Sequence, residues 1–93
     1  MNDSTIGSKT YEISNRLSVL ASWISEHDRN VKLYTAREVE TRRRFEKCGD
    51  EFDRIMADNL RRVTDGYITK RQEAIDEWNS IISKATLQLK ENA

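Results

Sequence analysis

The stretch RRRFEKCGDEFDRI, residues 42–55, contains the strongest helix break in the chain. Glycine readily adopts the left-handed conformation that closes a helix, and aspartate can cap the first turn of the next one. The pair Gly49-Asp50 therefore predicts a turn near residues 48–50. Because this turn lies close to the middle of the 93 residues, it would pair two segments of similar length as an antiparallel hairpin.

Upstream of the turn, residues that can be buried recur at alternating intervals of three and four, which is the heptad pattern of a helix packed along one seam. The polar exceptions are His27, Glu38 and Thr41. The full pattern comprises Ile13, Leu17, Leu20, Ile24, His27, Val31, Tyr34, Glu38, Thr41, Phe45, Cys48, Phe52 and Ile55. We therefore expect the first segment to be one long amphipathic helix.

Downstream of the turn, the best spacing changes to a 4-4-3 repeat, typical of a nearly straight helix. It comprises Phe52, Met56, Leu60, Val63, Tyr67, Arg71, Ala74, Trp78, Ile82, Ala85 and Leu89. Folding at the turn would bring Leu17 near Ile82 and Val31 near Tyr67. The predicted core or dimer seam consists of Leu17, Leu20, Ile24, Phe45, Phe52, Leu60, Tyr67, Trp78 and Ile82.

Other helix breaks compete with the central turn. The run His27-Asp28-Arg29-Asn30 forms helix poorly, and Thr64-Asp65-Gly66 could end a helix, so breaks near 27–30 and 64–66 are possible. If both occurred and Gly49 stayed helical, the chain would form a three-helix bundle. Residues 1–9 are mostly small and polar and are predicted to be a flexible N-terminal tail, which leaves 10–91 as the helical domain.

The amino-acid composition limits the classes of function that the chain can have. Sixteen basic and sixteen acidic residues give a net charge of zero, so no overall field attracts nucleic acid or anionic lipid. No run approaches the roughly 20 apolar residues of a membrane-spanning helix. A single cysteine excludes an internal disulfide and is typical of a reducing compartment, so the predicted location is cytoplasmic.

Catalytic chemistry finds little support in the residues. His27 is the only histidine, which leaves a histidine-based metal site or catalytic triad without partners. Cys48 falls at the expected C-terminal end of a helix, where the helix dipole opposes a thiolate. Glycine-rich phosphate-binding motifs are absent from the sequence. We therefore predict a protein that is not an enzyme and that uses no cofactor and no metal.

A lone helical hairpin cannot enclose this many large apolar residues. We therefore expect a second copy of the chain or another protein to cover them. We predict a homodimer that forms a four-helix bundle, and a non-enzymatic protein–protein interaction module: an adaptor, chaperone, inhibitor or structural subunit. Trp23 lies off the seam and is a candidate anchor for the partner.

The alternative function is a dimeric nucleic-acid-associated regulator. Its basis is the basic segment, in which Arg37, Arg42, Arg43, Arg44 and Lys47 supply five cations against three anions between residues 37 and 47. Several glutamates lie four residues from these arginines, so intrahelical pairing accounts for much of the cluster. A solvated helix face is therefore the favoured interpretation over a nucleic-acid site.

Overall fold

The computed structural model describes the backbone of residues 2–92 and the side chains of residues 9–91. Helix α1 spans Asn2–Cys48 and helix α2 spans Glu51–Asn92. They pack against each other as an antiparallel hairpin that is 70 Å long, 21 Å wide and 14 Å deep. The predicted all-α hairpin is confirmed, and the three-helix alternative is wrong because neither helix is interrupted.

The turn forms at the predicted residues. Gly49 has a φ of 66°, and its N–H donates to the carbonyl oxygen of Phe45 at 2.7 Å, which closes α1. The Asp50 side chain accepts a hydrogen bond from the N–H of Phe52 at 3.0 Å and so caps α2. Two residues therefore suffice to reverse the chain, because one supplies the left-handed backbone and the other the cap.

The break considered near 27–30 is absent, and α1 runs through it without interruption. The Asp28 carboxylate pairs with Lys32 one turn later at 3.0 Å and with Arg71 of α2 at 2.7 Å. The hydrogen bond from Lys32 is the main cause of the lowered pKa of Asp28, and Arg71 lowers it further. Contacts within the helix and across the hairpin thus override the poor helix propensity of this run.

The break considered near 64–66 is also absent from α2. Thr64 is buried in the seam, and its hydroxyl donates to the carbonyl oxygen of Leu60 at 2.8 Å. Burial against α1 holds this segment helical, although Gly66 lies within it. The Thr64 hydroxyl, which could have capped a new helix, instead donates its hydrogen bond within α2.

The N-terminal segment joins the first helix. Helix α1 begins at Asn2, so the backbone of residues 2–9 is helical. Met1 lies outside the described residues. The flexibility of residues 1–9 stays a prediction.

The seam on α1 follows the predicted heptad. Leu20, Glu38 and Thr41 are buried on it, and the apolar members between Leu17 and Phe45 are buried or half-buried. Thr41 donates its hydroxyl hydrogen to the carbonyl oxygen of Arg37 at 2.8 Å, so its burial leaves no unpaired hydroxyl. The polar exceptions noted in the sequence are thus part of the contact between the helices.

The seam on α2 differs from the predicted 4-4-3 pattern. Ala57 and Thr64 are buried, with 0% and 2% of their surface exposed, whereas the predicted Met56 and Val63 are 40% and 43% exposed. Helix α1 repeats every seven residues, and a partner in contact along its whole length must repeat with the same period. The most buried residues of α2 therefore follow a heptad. Ala57 and Thr64 take the places predicted for Met56 and Val63, and the larger Leu60, Tyr67 and Trp78 stay half-buried on the same heptad.

Several predicted seam residues remain accessible in the hairpin. Phe52 is 64% exposed beside the turn, and Ile82 is also exposed. Ile24, Leu60, Tyr67 and Trp78 are half-buried. For Phe52 and Ile82, the predicted role as seam residues applies only to a contact with a second protein.

Ion pairs between the helices match the expected register. Among them, Arg16 donates two hydrogen bonds to the Glu77 carboxylate, at 2.5 and 2.9 Å, and this contact is the main cause of the lowered pKa of Glu77. The interhelical pairs are Arg16–Glu77, Asp28–Arg71, Arg42–Asp58 and Arg44–Asp53. These pairings agree with the expected proximity of Leu17 to Ile82 and of Val31 to Tyr67.

Replacing each of two glycines with alanine should change stability in opposite directions. A Cβ atom at Gly49 or at Gly66 would meet nothing within 4 Å, so only the backbone differs. Gly49→Ala should cost about 1 to 2 kcal/mol because its φ is left-handed. Gly66→Ala should add about 1 kcal/mol because alanine is the better helix former. Urea denaturation measures both, and changes of the same sign would contradict this account of the turn.

Candidate protein-binding groove

A groove runs along one side of the hairpin, at the end where α1 begins and α2 ends. Two adjoining cavities of about 360 and 650 Å³ form it, and Ala21 and Trp78 line both of them. We call this surface the open-end groove. The residues that line it are Thr10, Ile13, Ser14, Leu17, Ser18, Ala21, Ile24, Ser25, Asp28, Ile75, Trp78, Ala85, Gln88 and Leu89.

The open-end groove is almost free of charge. Among its 14 described lining residues only Asp28 is charged, whereas the chain average of 34% would give about five. That one carboxylate is already paired with Lys32 and Arg71. A molecule that filled the groove would therefore not have to desolvate an unpaired charge.

The arrangement of the groove follows from the seam beside it. Leu17 and Ile24 lie on the α1 heptad, and the neighbouring row on the same helix carries only small residues, Ser14, Ser18, Ala21 and Ser25. The small side chains of α1 form the floor of the groove and fill little of its depth. The large side chain of Trp78, from α2, forms one of its sides. The result is an apolar channel wide enough to receive side chains of another helix.

Apolar groups in the groove stay open to water. Ile13 and Leu89 are exposed, and Trp78 is only half-buried between the two cavities. Exposed apolar groups gathered in one groove are often functional, and sites of protein contact are among their uses. The chemistry that the groove can perform is thus burial of apolar surface, without proton transfer or charge stabilisation.

Trp23 lies on a different face of α1, and its surroundings are polar. It is 42% exposed, and the Arg16 guanidinium lies 5.0 Å from the centre of its ring. The adjoining cavity has charged walls that include Glu26, Lys70 and Glu73. The predicted partner role of Trp23 stays a prediction, but the tryptophan in the uncharged groove is Trp78.

His27 and Cys48, the two side chains considered for catalysis, lie in different parts of the hairpin. The Nδ1 atom of His27 is buried and has no hydrogen-bond partner, and its ring lies 5.9 Å from that of Tyr67, which also stacks on Tyr34. Cys48 is exposed at the end of α1. Across the described residues, no cluster of three or more His, Cys, Asp or Glu side chains is arranged to hold a metal ion.

Much of the basic segment is occupied by contacts within the hairpin. Arg42 donates to Glu38 at 2.7 Å and to Asp58 at 3.2 Å, and the bond to Glu38 is the main cause of its raised pKa. Arg44 lies 3.9 Å from Asp53. The remaining cations are Arg37, which stacks over Tyr34 at 5.5 Å, and the exposed Arg43 and Lys47. Two of the five cations, Arg42 and Arg44, thus contact carboxylates of α2, and the other three do not.

Sequence reasoning missed the serines and Ile75 of the groove. Ser14, Ser18, Ala21 and Ser25 follow a 4-3-4 spacing with no charged residue among them, which is a second heptad row beside the first. That uncharged row was the available signal. It passed unnoticed because serine counts as polar in an apolar pattern.

Comparisons with protein families, with characterised proteins and with solved structures gave no match to this chain. Within the part of the chain that the structure describes, neither helix contains a segment long and apolar enough to cross a membrane. The open-end groove and the basic segment are the two surfaces that bear on function.

Replacing the two tryptophans separately should distinguish their surroundings. Trp78→Ala should destabilise the fold by about 2 to 3 kcal/mol, below the roughly 3 to 5 kcal/mol of a fully buried ring, because part of Trp78 is open to the groove. Trp23→Ala should have a smaller effect because its ring is more exposed. Urea unfolding followed by circular dichroism measures both, and equal losses would contradict the distinction.

DNA binding tests the basic segment. We expect the affinity for duplex DNA at about 150 mM salt to fall in the nonspecific range, about 10⁻⁴ to 10⁻⁶ M, because Arg42 and Arg44 are engaged within the hairpin. Fluorescence anisotropy with a labelled duplex measures it. Submicromolar binding that disappears when Arg42, Arg43 and Arg44 become Gln would favour the nucleic-acid regulator.

A control for that experiment leaves the hairpin contacts intact. The double change Arg43→Gln with Lys47→Gln removes two exposed cations but keeps the Arg42 bonds to Glu38 and Asp58. If only the triple change abolished binding and also lowered the melting temperature, loss of fold would explain the result. If both variants lost DNA binding, the removal of the cations would explain the loss.

Proposed function

We propose that the protein is a small, non-enzymatic protein–protein interaction module whose open-end groove is covered by a helix of another protein molecule. The observation that carries the proposal is the near absence of charge in an exposed apolar groove on a chain that is otherwise one-third charged. Charged side chains keep the rest of the surface hydrated. Where they are missing, burial against a partner is the stable state.

The dimensions of the groove suit a helix. Its lining extends from residue 10 to residue 28 of α1, which corresponds to about 27 Å, or five helical turns. An amphipathic helix laid along it would bury side chains spaced at three and four residues. Phosphates would find no cation in the lining, so a nucleic acid gains nothing from this surface.

An adaptor, a chaperone, an inhibitor and a structural subunit all work by such a contact. Each needs a rigid helical surface, and none needs a reactive group. The predicted homodimer is the simplest assembly, since two hairpins would form a four-helix bundle. A cytoplasmic location agrees with the free and exposed Cys48.

Photo-crosslinking in an extract of the cells that encode the protein tests this function. A photoreactive residue placed at Ser25, which lines the groove, should link the chain to another protein molecule, either a second copy or a different chain. The same residue at the neighbouring exposed Ser22, which does not line the groove, should give no such product.

A second substitution shows whether the product depends on the groove. Ala21→Arg places a charge on the groove floor and should remove the crosslink, whereas Ser22→Arg should leave it unchanged. Products identified by mass spectrometry would name the partner. The proposal fails if no protein is linked at Ser25, or if the link survives Ala21→Arg in a helical protein.

A further inference from the structure

We infer that the occupant of the open-end groove is a second copy of this chain, packed antiparallel so that α1 of one copy lies against α1 of the other. The inference rests on the proposed function, because it names the partner of that same groove. Three observations support it: the surface that the chain leaves exposed, the charge of the groove, and the spacing of small residues on its floor.

The hairpin exposes more surface than a compact chain of its mass. Its accessible surface is 7314 Å², whereas the usual scaling gives about 5,600 Å² for 10.9 kDa. The excess of about 1,700 Å² is roughly twice what one partner buries in a standard interface, about 800 Å². The 70 Å rod shape contributes to this excess, and a second rod packed along its side would remove much of it. The groove alone is too small for such an interface, so a dimer would also have to cover the flanks of the rod beside the groove.

The charge of the groove is compatible with a second copy. A two-fold axis sets a surface against itself, so that residue i of one copy meets residue j of the other, and only groups close to the axis meet their own kind. Asp28 is the one charged residue among the described lining residues, and Lys32 and Arg71 already compensate it. The open-end groove can therefore face its own copy without repulsion, and a single contact covers the grooves of both chains.

The floor of the groove is compatible with an antiparallel copy. Ser14, Ser18, Ala21 and Ser25 are spaced by four, three and four residues, which reads the same from either end. An antiparallel copy would place Ser14 opposite Ser25 and Ser18 opposite Ala21. Small residues then meet small residues along the whole floor, and the two α1 backbones can approach closely. Serine hydroxyls in this contact can be satisfied by carbonyl oxygens of their own helix.

The basic segments favour the same direction. In a parallel dimer, the segments from Arg37 to Lys47 of the two copies would lie side by side, each with an excess of cations. An antiparallel dimer centred between Ser18 and Ala21 sends them to opposite ends. Its turns would lie about 90 Å apart, given about 30 residues from the centre to each turn and 1.5 Å per residue.

Disulfide crosslinking tests the copy and its direction together. In a Cys48→Ser background, a mixture of Ser14→Cys and Ser25→Cys chains should oxidise to a mixed disulfide dimer, while Ser14→Cys alone should stay unlinked. Facing cysteines need Cα atoms roughly 4.4 to 6.8 Å apart, which only the antiparallel register provides for this pair. Ser22→Cys, which lies outside the groove, should link with neither.

Light scattering and small-angle X-ray scattering complete the test with the unmodified chain. We expect a mass of about 22 kDa, twice the 10.9 kDa chain, and a maximum dimension near 90 Å rather than the 70 Å of one hairpin. A helical monomer at micromolar concentration would overturn the inference. So would Ser14→Cys linking to itself, or a 70 Å dimer.

The two proposals fail separately. If photo-crosslinking at Ser25 finds only a different protein and the free chain is monomeric, the interaction module stands and the second copy is wrong. If neither kind of product forms through the groove, both are wrong. The cysteine variants replace small exposed residues, so retained helicity by circular dichroism shows that a missing disulfide reflects geometry rather than unfolding.

Discussion

The hairpin depends on one geometric constraint: two helices of more than forty residues stay in contact throughout only if their buried residues share a period. Helix α1 repeats every seven residues, and α2 meets it with the small side chains Ala57, Thr64 and Ala74. Small residues let the helices approach closely, but they bury little apolar surface. Met56 and Val63 of α2 lie on the flanks instead, where they add exposed apolar surface beside the seam.

Polar contacts fix the register that this narrow seam would otherwise leave loose. Arg16 with Glu77 and Asp28 with Arg71 tie the helices together near the open end, and Arg42 with Asp58 does so near the turn. Surface ion pairs contribute little stability individually, so their role here is alignment rather than strength. The turn at Gly49 fixes where the pairing of the two helices begins, and each interhelical ion pair is consistent with the same register.

The turn and the α1 seam could be predicted because each has a local signal: a glycine followed by a capping aspartate, and an apolar heptad. The α2 seam could not, because Met56 and Val63 look like core residues in isolation, and only the period of α1 selects Ala57 and Thr64 instead. The break considered near Asp28 is absent for a similarly non-local reason, since Arg71, which pairs with Asp28, lies 43 positions away in sequence. The groove went unseen because it belongs to neither helix alone.

Folding and binding are linked in such a molecule. Leu20 is the one large side chain that the described hairpin buries completely, so its hydrophobic stabilisation is small for a chain of this length. Further stability has to come from covering the flanks, and the free energy of that contact adds to the free energy of folding.

The two ends of the hairpin contribute differently to the stability gained by covering the flanks. The open end presents an uncharged groove that gains most from being covered by protein. The turn end carries the basic segment, whose arginines bind carboxylates of the opposite helix and keep that half hydrated. Under the proposed function, a hairpin with so small a core would be most stable when assembled, which gives a physical reason for it to act as a binding module.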